Sequence, residues 1–465
     1  MPEEAVRQYV ADINGGRYEL HRPIGRGGQG TVYTCKANPR IALKLLHSTS
    51  EAQAEMLRQR LALVKRMDLN GLPIARPIAM LTRPQVGYVM EFVAGMESMS
   101  KLVCPPQELE GVREWYTKSG GLRRRLRVLH RLAKVLSSVH GRGLVYGDPS
   151  PGNVLVSQEG DSDDVYLIDS DNMRYSSRPD KAVLFTPGYG APELVLGRSG
   201  MNSLTDSHAF AVIAFQCIAL CHPLLGDTVR DGPPSMEEAA LQGRVPWIDH
   251  PTDDRNRCGN GIPRSLVLSK LLSATFERTF NTGLGDPTER PGMAAWADAL
   301  QTVSRVTLVC QACGWSYYFT EDVCPVCQHS RPKYALATVG IWDLSDTPAG
   351  ALCAGPNNRP LIVGSSVGTQ DHPLAMTREQ LGLPDGKPEV ALVVRLDGVR
   401  IAASCVAIGC EMSVATTPGS PVHKLTDVPQ TFRLSNPSAS LYIHCGAMSA
   451  RHRVARISVR GGAES

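Results

Sequence analysis

Apolar and polar positions follow several distinct patterns along the first part of the chain, and each pattern predicts an element. From Tyr18 to about Leu46, short apolar runs flank a glycine-rich turn, which indicates strands. Residues 50–67 carry apolar side chains at helical spacing, and residues 86–93 (VGYVMEFV) form a continuous apolar run typical of a buried strand. The short polar lead of residues 1–17 is interpreted as a possible helix.

Helical periodicity dominates the middle of the chain. Residues 122–140 (LRRRLRVLHRLAKVLSSVH) place Leu122, Leu126 and Leu129 on one side, which predicts an amphipathic helix. The arginines of this helix are interpreted as a solvated face, with an acidic partner surface as the alternative. A largely helical stretch then continues to about Arg305.

Beyond residue 306 the pattern changes to short β-rich runs. In residues 390–408 (VALVVRLDGVRIAASCVAI) two such runs are joined by Asp397-Gly398, a strong hairpin signal. The strings TFRLS, SLYIHC and RVARISV predict further strands, and residues 348–360 are expected to be a linker or loop. Residues 334–465 are therefore predicted to form a separate all-β domain, a sandwich or a barrel.

Composition favours an ordinary soluble protein. The 465 residues are 42% hydrophobic and 20% charged, and the net charge of +4 is too small to indicate nucleic acid or membrane binding by itself. The longest apolar stretch, Ala209 to Cys221, is interrupted by Gln216 and is too short to span a bilayer. No signal peptide is expected at the start. These features predict a cytoplasmic protein without membrane contact.

The string IGRGGQGTVY, residues 24–33, contains the pattern G-x-G-x-x-G. Alone this signal is weak, because a chain with 43 glycines also forms such strings in ordinary turns. Here a second strand and then IALKLL (41–46) follow instead of a helix, which disfavours a dinucleotide-binding fold. The turn and Lys44 are therefore predicted to bind the phosphates of a nucleotide through backbone N–H groups and an ammonium. The remaining contacts predicted for this turn are Gly25, Gly27, Gly30 and Val32.

A lysine in an apolar strand needs a carboxylate partner to hold it in place. Glu55 is preferred over Glu51 for this role, because Glu51 follows Lys44 too closely to reach back from the middle of a helix. The alternative is that either glutamate is a solvated helix residue. Where the next apolar strand ends, Glu91 and Val93 are expected to meet an adenine through their backbone.

Two strings carry the chemistry, YGDPSPGNVLV (146–156) and VYLIDSD (165–171). They contain an Asp, an Asn five residues later, and an Asp after a hydrophobic run: Asp148, Asn153 and Asp169. One carboxylate can orient a hydroxyl nucleophile, while an amide oxygen and a second carboxylate can hold the Mg²⁺ or Mn²⁺ that bridges the phosphates of ATP. Asp148 is therefore predicted to be catalytic, and Asn153 and Asp169 to be metal ligands.

These strings, taken in order, resemble those of a bacterial member of the protein-kinase superfamily over roughly residues 18–305. TPGYGAPEL (186–194) matches the A-P-E segment of that family. Asp206 matches the residue that braces the catalytic loop, and Arg290 matches the partner of the A-P-E glutamate. The resemblance implies a buried ion pair between Glu193 and Arg290.

The resemblance also implies an architecture and an activity. The expected fold is bilobal, with an N-lobe over residues 18–93 and a C-lobe over residues 94–305. The implied enzyme is a serine/threonine-type kinase that uses ATP and a divalent metal on a protein substrate. With the segments that follow, the whole chain is expected to be a multidomain α+β protein.

The catalytic strings depart from the family pattern at three positions. Gly147 stands where an Arg usually precedes the catalytic Asp, which predicts an activity not gated by an activation-loop phosphate. Ser150 replaces a Lys, and Asp171 replaces the Gly of D-F-G. Asp171 is interpreted as facing solvent, with a metal ligand as the alternative. The hydroxyls of the following segment are interpreted as structural rather than regulatory: Ser176, Ser177 and Thr186.

Three rival interpretations stay open. A non-catalytic ATP-binding scaffold is the main alternative to an active enzyme, although the metal and phosphate contacts survive. The D-x-S-x-x-N string also resembles small-molecule kinases such as aminoglycoside phosphotransferases, but Glu193 and Arg290 favour a protein kinase. A nucleic-acid-binding ribbon protein is the third interpretation.

Four of the 13 cysteines form C-x2-C-x10-C-x2-C. They are Cys310, Cys313, Cys324 and Cys327. Two knuckles with this spacing can present four thiolates tetrahedrally to zinc, which predicts a structural Zn²⁺ ribbon over residues 306–333. A redox role is disfavoured because a redox C-x2-C motif has no use for a second C-x2-C pair. Nucleic acid is disfavoured as a ligand because few basic residues lie inside the cluster.

The all-β segment, residues 334–465, has no catalytic constellation and is expected to mediate protein interaction. A kinase followed by a zinc ribbon is similar to the kinase of bacterial modules linked to tellurite resistance. That similarity implies a von Willebrand A-domain protein and a metal-dependent phosphatase as candidate partners.

Overall fold

The computed structural model describes residues 8–106, 111–177, 185–342, 361–386, 389–398, 400–407, 409–416, 422–434, 436, 439–447 and 450–461. The chain divides into two compact units. One comprises residues 1–120 and 124–300, and the other comprises residues 121–123 and 301–465. The segment predicted to be a linker, residues 348–360, lies outside the described residues.

A six-stranded antiparallel sheet, in the order β1-β2-β3-β4-β6-β5, opens the first unit. Its strands are β1 (Tyr9–Ala11), β2 (Arg17–Arg26), β3 (Gly30–Cys35), β4 (Ile41–Leu46), β5 (Ala79–Met80) and β6 (Gly87–Glu91). The helix suggested for the polar lead is wrong in its described part, because Val10 pairs with Tyr18 across two strands and is buried. Three residues are too few for a periodicity to reveal a strand.

The helix α1 (Glu51–Lys65) packs against this sheet, as the periodicity of residues 50–67 predicts. Ser50 caps its first turn, where the hydroxyl oxygen accepts a backbone hydrogen bond at 3.2 Å. Ala54 and Leu61 point inward and share a core with Tyr88 and other sheet residues. The face of α1 that meets the sheet is therefore apolar.

Helices dominate the remainder of the first unit. They are α2 (Ser100–Val103), α3 (Val112–Lys118), α4 (Gly121–Gly141), α5 (Pro192–Val195), α6 (Ser203–Ala219), α7 (Asp227–Arg230), α8 (Pro234–Leu241), α9 (Arg264–Val267), α10 (Lys270–Glu277), α11 (Gly283–Gly285) and α12 (Met293–Ser304). Short strands lie between them: β7 (Met96–Ser98), β8 (Leu144–Val145), β9 (Val154–Ser157), β10 (Val165–Leu167) and β11 (Arg174–Tyr175).

The helix α6 forms the centre of this helical part. Its side chains are almost all buried, and Phe210 and Phe215 meet Trp296 and Phe276 edge to face. Edge-to-face pairs add to the stabilisation that apolar burial gives. The longest apolar stretch of the sequence is therefore mostly a core helix, and none of the described helices has the length and apolar content to cross a membrane.

The helix α4 matches the predicted amphipathic helix closely, but its arginines do not form a uniformly solvated face. Arg124 and Arg125 are 6% and 0% exposed. The guanidinium of Arg125 lies 3.8 Å from the ring centre of Tyr116 and donates to the carbonyl oxygen of Leu102 at 3.3 Å. A long side chain can reach such partners across a core, which a helical periodicity does not reveal.

The second unit begins with a small hairpin and continues as a β-sandwich. The hairpin strands are β12 (Thr307–Val309) and β13 (Ser316–Tyr318). One sheet has the order β15-β14-β23-β22-β19-β20 and the other β16-β17-β18-β21. Their strands are β14 (Tyr334–Trp342), β15 (Ile362–Gly368), β16 (Leu374–Thr377), β17 (Val390–Asp397), β18 (Arg400–Cys405), β19 (Ser413–Ala415), β20 (His423–Lys424), β21 (Gln430–Arg433), β22 (Ser440–Cys445) and β23 (His452–Arg460).

A single apolar core joins the two sheets, so the predicted all-β region is a sandwich among its described residues. Leu392 and Ile401 from one sheet and Ile443 and Ile457 from the other are all fully buried in this core. The predicted hairpin at Asp397-Gly398 is confirmed. Asp397 pairs with Arg400, and Gly398 has a φ of +59°, a conformation that glycine adopts without strain.

Candidate active site

The glycine-rich string forms the turn between β2 and β3. The N–H of Gly27 donates to the carbonyl oxygen of Gly30 at 2.9 Å, and Gly25 pairs with Val32 across the two strands. A Cβ on Gly30 would lie 2.4 Å from the carbonyl oxygen of Leu45, so the sheet itself requires this glycine. The space around Gly27 is open. Only part of the motif therefore leaves room for a ligand.

Lys44 is buried in β4, with 5% of its surface exposed. Its ammonium nitrogen lies 2.9 Å and 3.1 Å from the two carboxylate oxygens of Asp171 and also contacts a carboxylate oxygen of Asp169. Lys44, the predicted phosphate-binding lysine, therefore contacts both aspartates of the string VYLIDSD.

The predicted pairing of Lys44 with Glu55 is absent from the structure. A carboxylate oxygen of Glu55 lies 2.8 Å from the guanidinium of Arg83 and 3.5 Å from that of Arg58. The Glu55 side chain is 44% exposed. The cause is helical register: successive residues on a helix point about 100° apart, and it is Ala54 that faces the sheet.

Asp171 is not a solvent-facing residue, contrary to the interpretation favoured from the sequence. It is 4% exposed, and besides Lys44 it accepts a hydrogen bond from the hydroxyl of Tyr88 at 3.3 Å. Burial, and after it the nearby Asp171, raise the pKa of Tyr88 well above its ordinary value, so this hydroxyl keeps its proton. Asp169 adopts a left-handed φ of 66°, and the short 3-10 turn Ser170–Asn172 follows it.

Asp148 lies in the loop after β8 and is 9% exposed. One of its oxygens accepts the backbone N–H of Thr186 at 2.7 Å, and the other accepts the Thr186 hydroxyl at 3.1 Å and the amide of Asn153 at 3.3 Å. Burial raises the pKa of the Asp148 carboxyl, and the hydrogen bonds from Thr186 and Asn153 oppose that rise. The predicted pair Asp148 and Asn153 is thus in direct contact.

Asp206 braces this loop from α6, as the motif match implies. Its two oxygens accept the backbone N–H groups of Tyr146 at 2.8 Å and Gly147 at 2.9 Å, and His140 lies 2.9 Å away. Gly147 has a φ of +95°, and a Cβ there would lie 3.0 Å from the carbonyl oxygen of Asn172. The backbone at this position therefore favours glycine over the arginine of the family pattern.

The strand β6 ends at Glu91, where an adenine contact is predicted. The N–H of Phe92 still donates to the carbonyl oxygen of Arg40 at 2.8 Å, and the chain then leaves the sheet. Glu91 is exposed, and Val93 is partly exposed. Glu91 is the last residue of β6, and Val93 lies just beyond it, where the chain leaves the sheet.

The buried ion pair implied by the A-P-E motif is present. The guanidinium of Arg290 donates to the two carboxylate oxygens of Glu193 at 2.6 Å and 2.8 Å. Arg290 is 3% exposed and also donates to the carbonyl oxygens of Gly283 at 2.7 Å and Leu204 at 3.3 Å. A bidentate pair of this kind fixes the A-P-E segment on the helical part.

Replacing Arg290 by methionine is expected to destabilise the first unit by about 3–5 kcal/mol, because the charge of Glu193, whose side chain is only 13% exposed, would be left without its partner. Chemical denaturation monitored by tryptophan fluorescence measures the change. The control is Arg255→Met, which breaks an exposed pair with Asp253 and should unfold close to the wild-type midpoint. Equal midpoints for the two variants would contradict the structural role of Arg290.

The four predicted cysteines converge, and their sulfur atoms all lie within 4.8 Å of one another. Cys310 and Cys327 are 3.5 Å apart at sulfur, and Cys313 and Cys324 are 3.6 Å apart. Tetrahedral zinc with bonds of about 2.3 Å separates its sulfur ligands by about 3.8 Å. The spacing therefore fits that ion.

The two C-x2-C strings form matching turns. The N–H of Gly314 donates to the carbonyl oxygen of Cys310, and that of Gln328 donates to Cys324, each at 2.9 Å. Gly314 and Gln328 both have positive φ, at 72° and 60°. A backbone N–H of His329 lowers the pKa of Cys327 to about 7, whereas burial raises the pKa of Cys313 and of Cys324.

Several residues of the site could not be identified from their residue type. Tyr88 and Thr186 contact Asp171 and Asp148, and the hydroxyl of Tyr146 contacts the carbonyl oxygen of Ile168. The only sequence signal is positional: Tyr146 stands just before Gly147-Asp148, and Thr186 opens the A-P-E string. Tyr88 lies in an apolar strand and gives no such signal.

Comparison with known proteins places the site in a family. Residues 18–255 match the family model described as protein kinase domain. The chain is 28% identical over 231 residues to the serine/threonine-protein kinase pkn2 of Myxococcus xanthus, a match that covers 46% of this chain and 26% of that protein. It is 26% identical over 226 residues to PknA of Mycobacterium tuberculosis, covering 46% of this chain and 49% of that protein. The chain thus spans less than half the length of these relatives.

Proposed function

The chain belongs to the protein kinase family, and we propose that it is a serine/threonine protein kinase that transfers the γ-phosphoryl group of ATP to a protein hydroxyl. The contact between Lys44 and Asp169 carries this proposal, because it joins a phosphate-binding ammonium to a metal-binding carboxylate. Asp148, the third group that the reaction needs, is present and held by Thr186.

In this proposal Asp148 orients the acceptor hydroxyl and accepts its proton. Its burial supports the role, because a carboxylate with a raised pKa is a stronger base than a solvated one. Thr186 donates to both carboxylate oxygens and so fixes the orientation of the carboxyl plane. Catalysis of this kind depends mainly on positioning.

Asn153 and Asp169 are the residues that would hold Mg²⁺ or Mn²⁺. Both offer oxygen atoms, the ligands that these hard cations prefer. The amide nitrogen of Asn153 donates to the carbonyl oxygen of Asp148 at 3.0 Å and to its carboxylate, so the amide oxygen is the atom that would ligate the metal. When bound, the metal neutralises the charge that develops on the phosphates.

The activity is proposed to be independent of an activation-loop phosphate. Such a phosphate acts through an arginine beside the catalytic Asp, and this position is Gly147. The left-handed φ and the nearby carbonyl oxygen of Asn172 support this, because they make an arginine unfavourable there.

Phosphoryl transfer with γ-labelled ATP and a basic test protein examines the proposal. Transfer should require Mg²⁺ or Mn²⁺ and should fall by on the order of 100-fold or more in Asp169→Asn, which loses a metal-binding charge. The same labelled reaction in the presence of a chelator is the matched control. Nucleotide binding without transfer to the protein itself or to the test protein would contradict the proposal and leave an ATP-binding scaffold.

The second unit is proposed to add interaction modules. The four-cysteine cluster would hold a structural Zn²⁺, and its sulfur spacing supports that assignment. The β-sandwich would bind protein partners, for which a von Willebrand A-domain protein and a metal-dependent phosphatase are candidates. A cytoplasmic location is part of the same proposal, since the four thiolates need a reducing environment.

A further inference from the structure

We propose that Asp171 is the carboxylate that positions Lys44 for nucleotide binding, in the place that a glutamate on α1 was expected to take. The inference rests on the proposed function and names a further positioning residue for it. Both oxygens of Asp171 lie within hydrogen-bond distance of the lysine ammonium, at 2.9 Å and 3.1 Å. The two side chains are 7% and 6% exposed, so the pair is shielded from solvent.

Asp169 and Asp171 both contact the ammonium of Lys44, and they differ in how far their side chains are exposed to solvent. The side chain of Asp169 is 23% exposed, whereas that of Asp171 is 6% exposed. A metal ligand must be reachable from the cleft, which favours Asp169 for that task. Asp171 then remains as the counter-ion of Lys44 while Asp169 binds metal, because a buried ammonium without a partner is strongly unfavourable.

The helix α1 does not offer a carboxylate to Lys44 in the described structure. Its buried side chains are Ala54, Leu61 and Val64, which are all apolar. The two glutamates of the helix, Glu51 and Glu55, are 69% and 44% exposed and pair with Arg83 and Arg58.

The turn that carries Asp171 is fixed by contacts on both sides. Tyr88 donates to Asp171 from β6, next to Lys44 in the sheet. Arg60 on α1 donates to the side-chain oxygen of Asn172 at 2.6 Å. The helix therefore contacts the residue after Asp171 through Arg60, and no hydrogen bond or ion pair of its described residues reaches Lys44. The orientation of Lys44 follows the turn Ser170–Asn172, which α1 contacts at Asn172.

Equilibrium ATP binding and steady-state kinetics of Asp171→Asn test this role. The variant keeps the shape of the side chain but loses the charge, and its Kd and KM for ATP should rise roughly tenfold. The KM for the basic test protein should stay unchanged, which a general structural defect would not achieve. Asp171→Glu should recover part of the ATP affinity. Glu55→Gln is the matched control and should bind ATP like the wild type.

The outcomes separate this inference from the proposed function. Wild-type affinity for ATP in Asp171→Asn, or a tenfold loss in Glu55→Gln, would overturn the role of Asp171. If Asp171→Asn does not fold, Tyr88→Phe removes only the second hydrogen bond and should raise the Kd for ATP severalfold; an unchanged Kd would count against the role. Wild-type protein that binds ATP without transferring phosphate would refute the proposed function but leave the binding test of Asp171 intact. Wild-type protein that does not bind ATP would refute both.

Discussion

Replacing Asp148 by asparagine is expected to slow phosphoryl transfer by about 10²–10⁴-fold, with little change in ATP affinity. Asparagine has nearly the same shape, and its amide oxygen can still accept the backbone N–H of Thr186, but its amide is not a base. The loss should therefore appear in kcat, because the substituted group acts on the acceptor hydroxyl and not on the nucleotide. Label transfer and equilibrium ATP binding, measured on the same preparation, separate the two effects.

Asp161→Asn is the matched control for this experiment. Asp161 follows β9 by a few residues and is exposed, so the same chemical change there should leave transfer at the wild-type rate. Transfer at the wild-type rate in Asp148→Asn would show that another group orients the hydroxyl. An equal loss of transfer in Asp148→Asn and Asp161→Asn would show that the loss comes from the change in net charge and not from the position of Asp148.

The order of the short motifs suffices to predict most of the site. Asp148, Asn153 and Asp169 each lie in a loop or turn beside a short strand, and such segments present side chains to a cleft wherever the strands are fixed. The bidentate contact of Arg290 with Glu193 follows from motif positions about a hundred residues apart. Short sequence motifs predict these contacts because members of the family share one spatial arrangement of the motifs.

The partner of Lys44 could not be predicted in the same way. The choice between Ala54 and Glu55 as the inward residue is a matter of one position in helical register, and it is Ala54 that shares a face with Leu61 and Val64. The direction of Asp171 depends on the left-handed backbone of Asp169, which is unusual for a residue other than glycine. The left-handed backbone of Asp169 leaves no mark in the residue pattern, so the direction of Asp171 could not be predicted.

The all-β segment, residues 334–465, also contains one feature that the sequence predicts and one that it does not. The hairpin at Asp397-Gly398 is predictable because Gly398, directly after the paired Asp397, has a positive φ that glycine adopts without strain. The choice between sandwich and barrel is not predictable from strand patterns alone. It depends on which strands pair at the edges, and here β23 lies between β14 and β22 in one sheet of the sandwich.

Removing the proposed Zn²⁺ from the four-cysteine cluster is expected to unfold the segment that carries it. Apparent zinc affinities of small zinc-finger peptides amount to about 10–16 kcal/mol, and this binding energy is also their folding energy. The hairpin β12–β13 has three residues in each strand, too few to fold without a staple. A chelator should therefore expose Trp315, which is 1% exposed, and shift its fluorescence to longer wavelength.

Cys327→Ser tests the same site without a chelator. Cys327 is exposed, so serine costs little packing there, and the loss of one thiolate should lower the zinc content from about one per chain to well below half. Cys104→Ser is the matched control, because Cys104 is also an exposed cysteine and lies outside the cluster. Wild-type protein with less than about half a zinc per chain would contradict the ribbon. Retention of zinc and of buried Trp315 emission in Cys327→Ser would do so too, because a closed structural site uses all four of its thiolates.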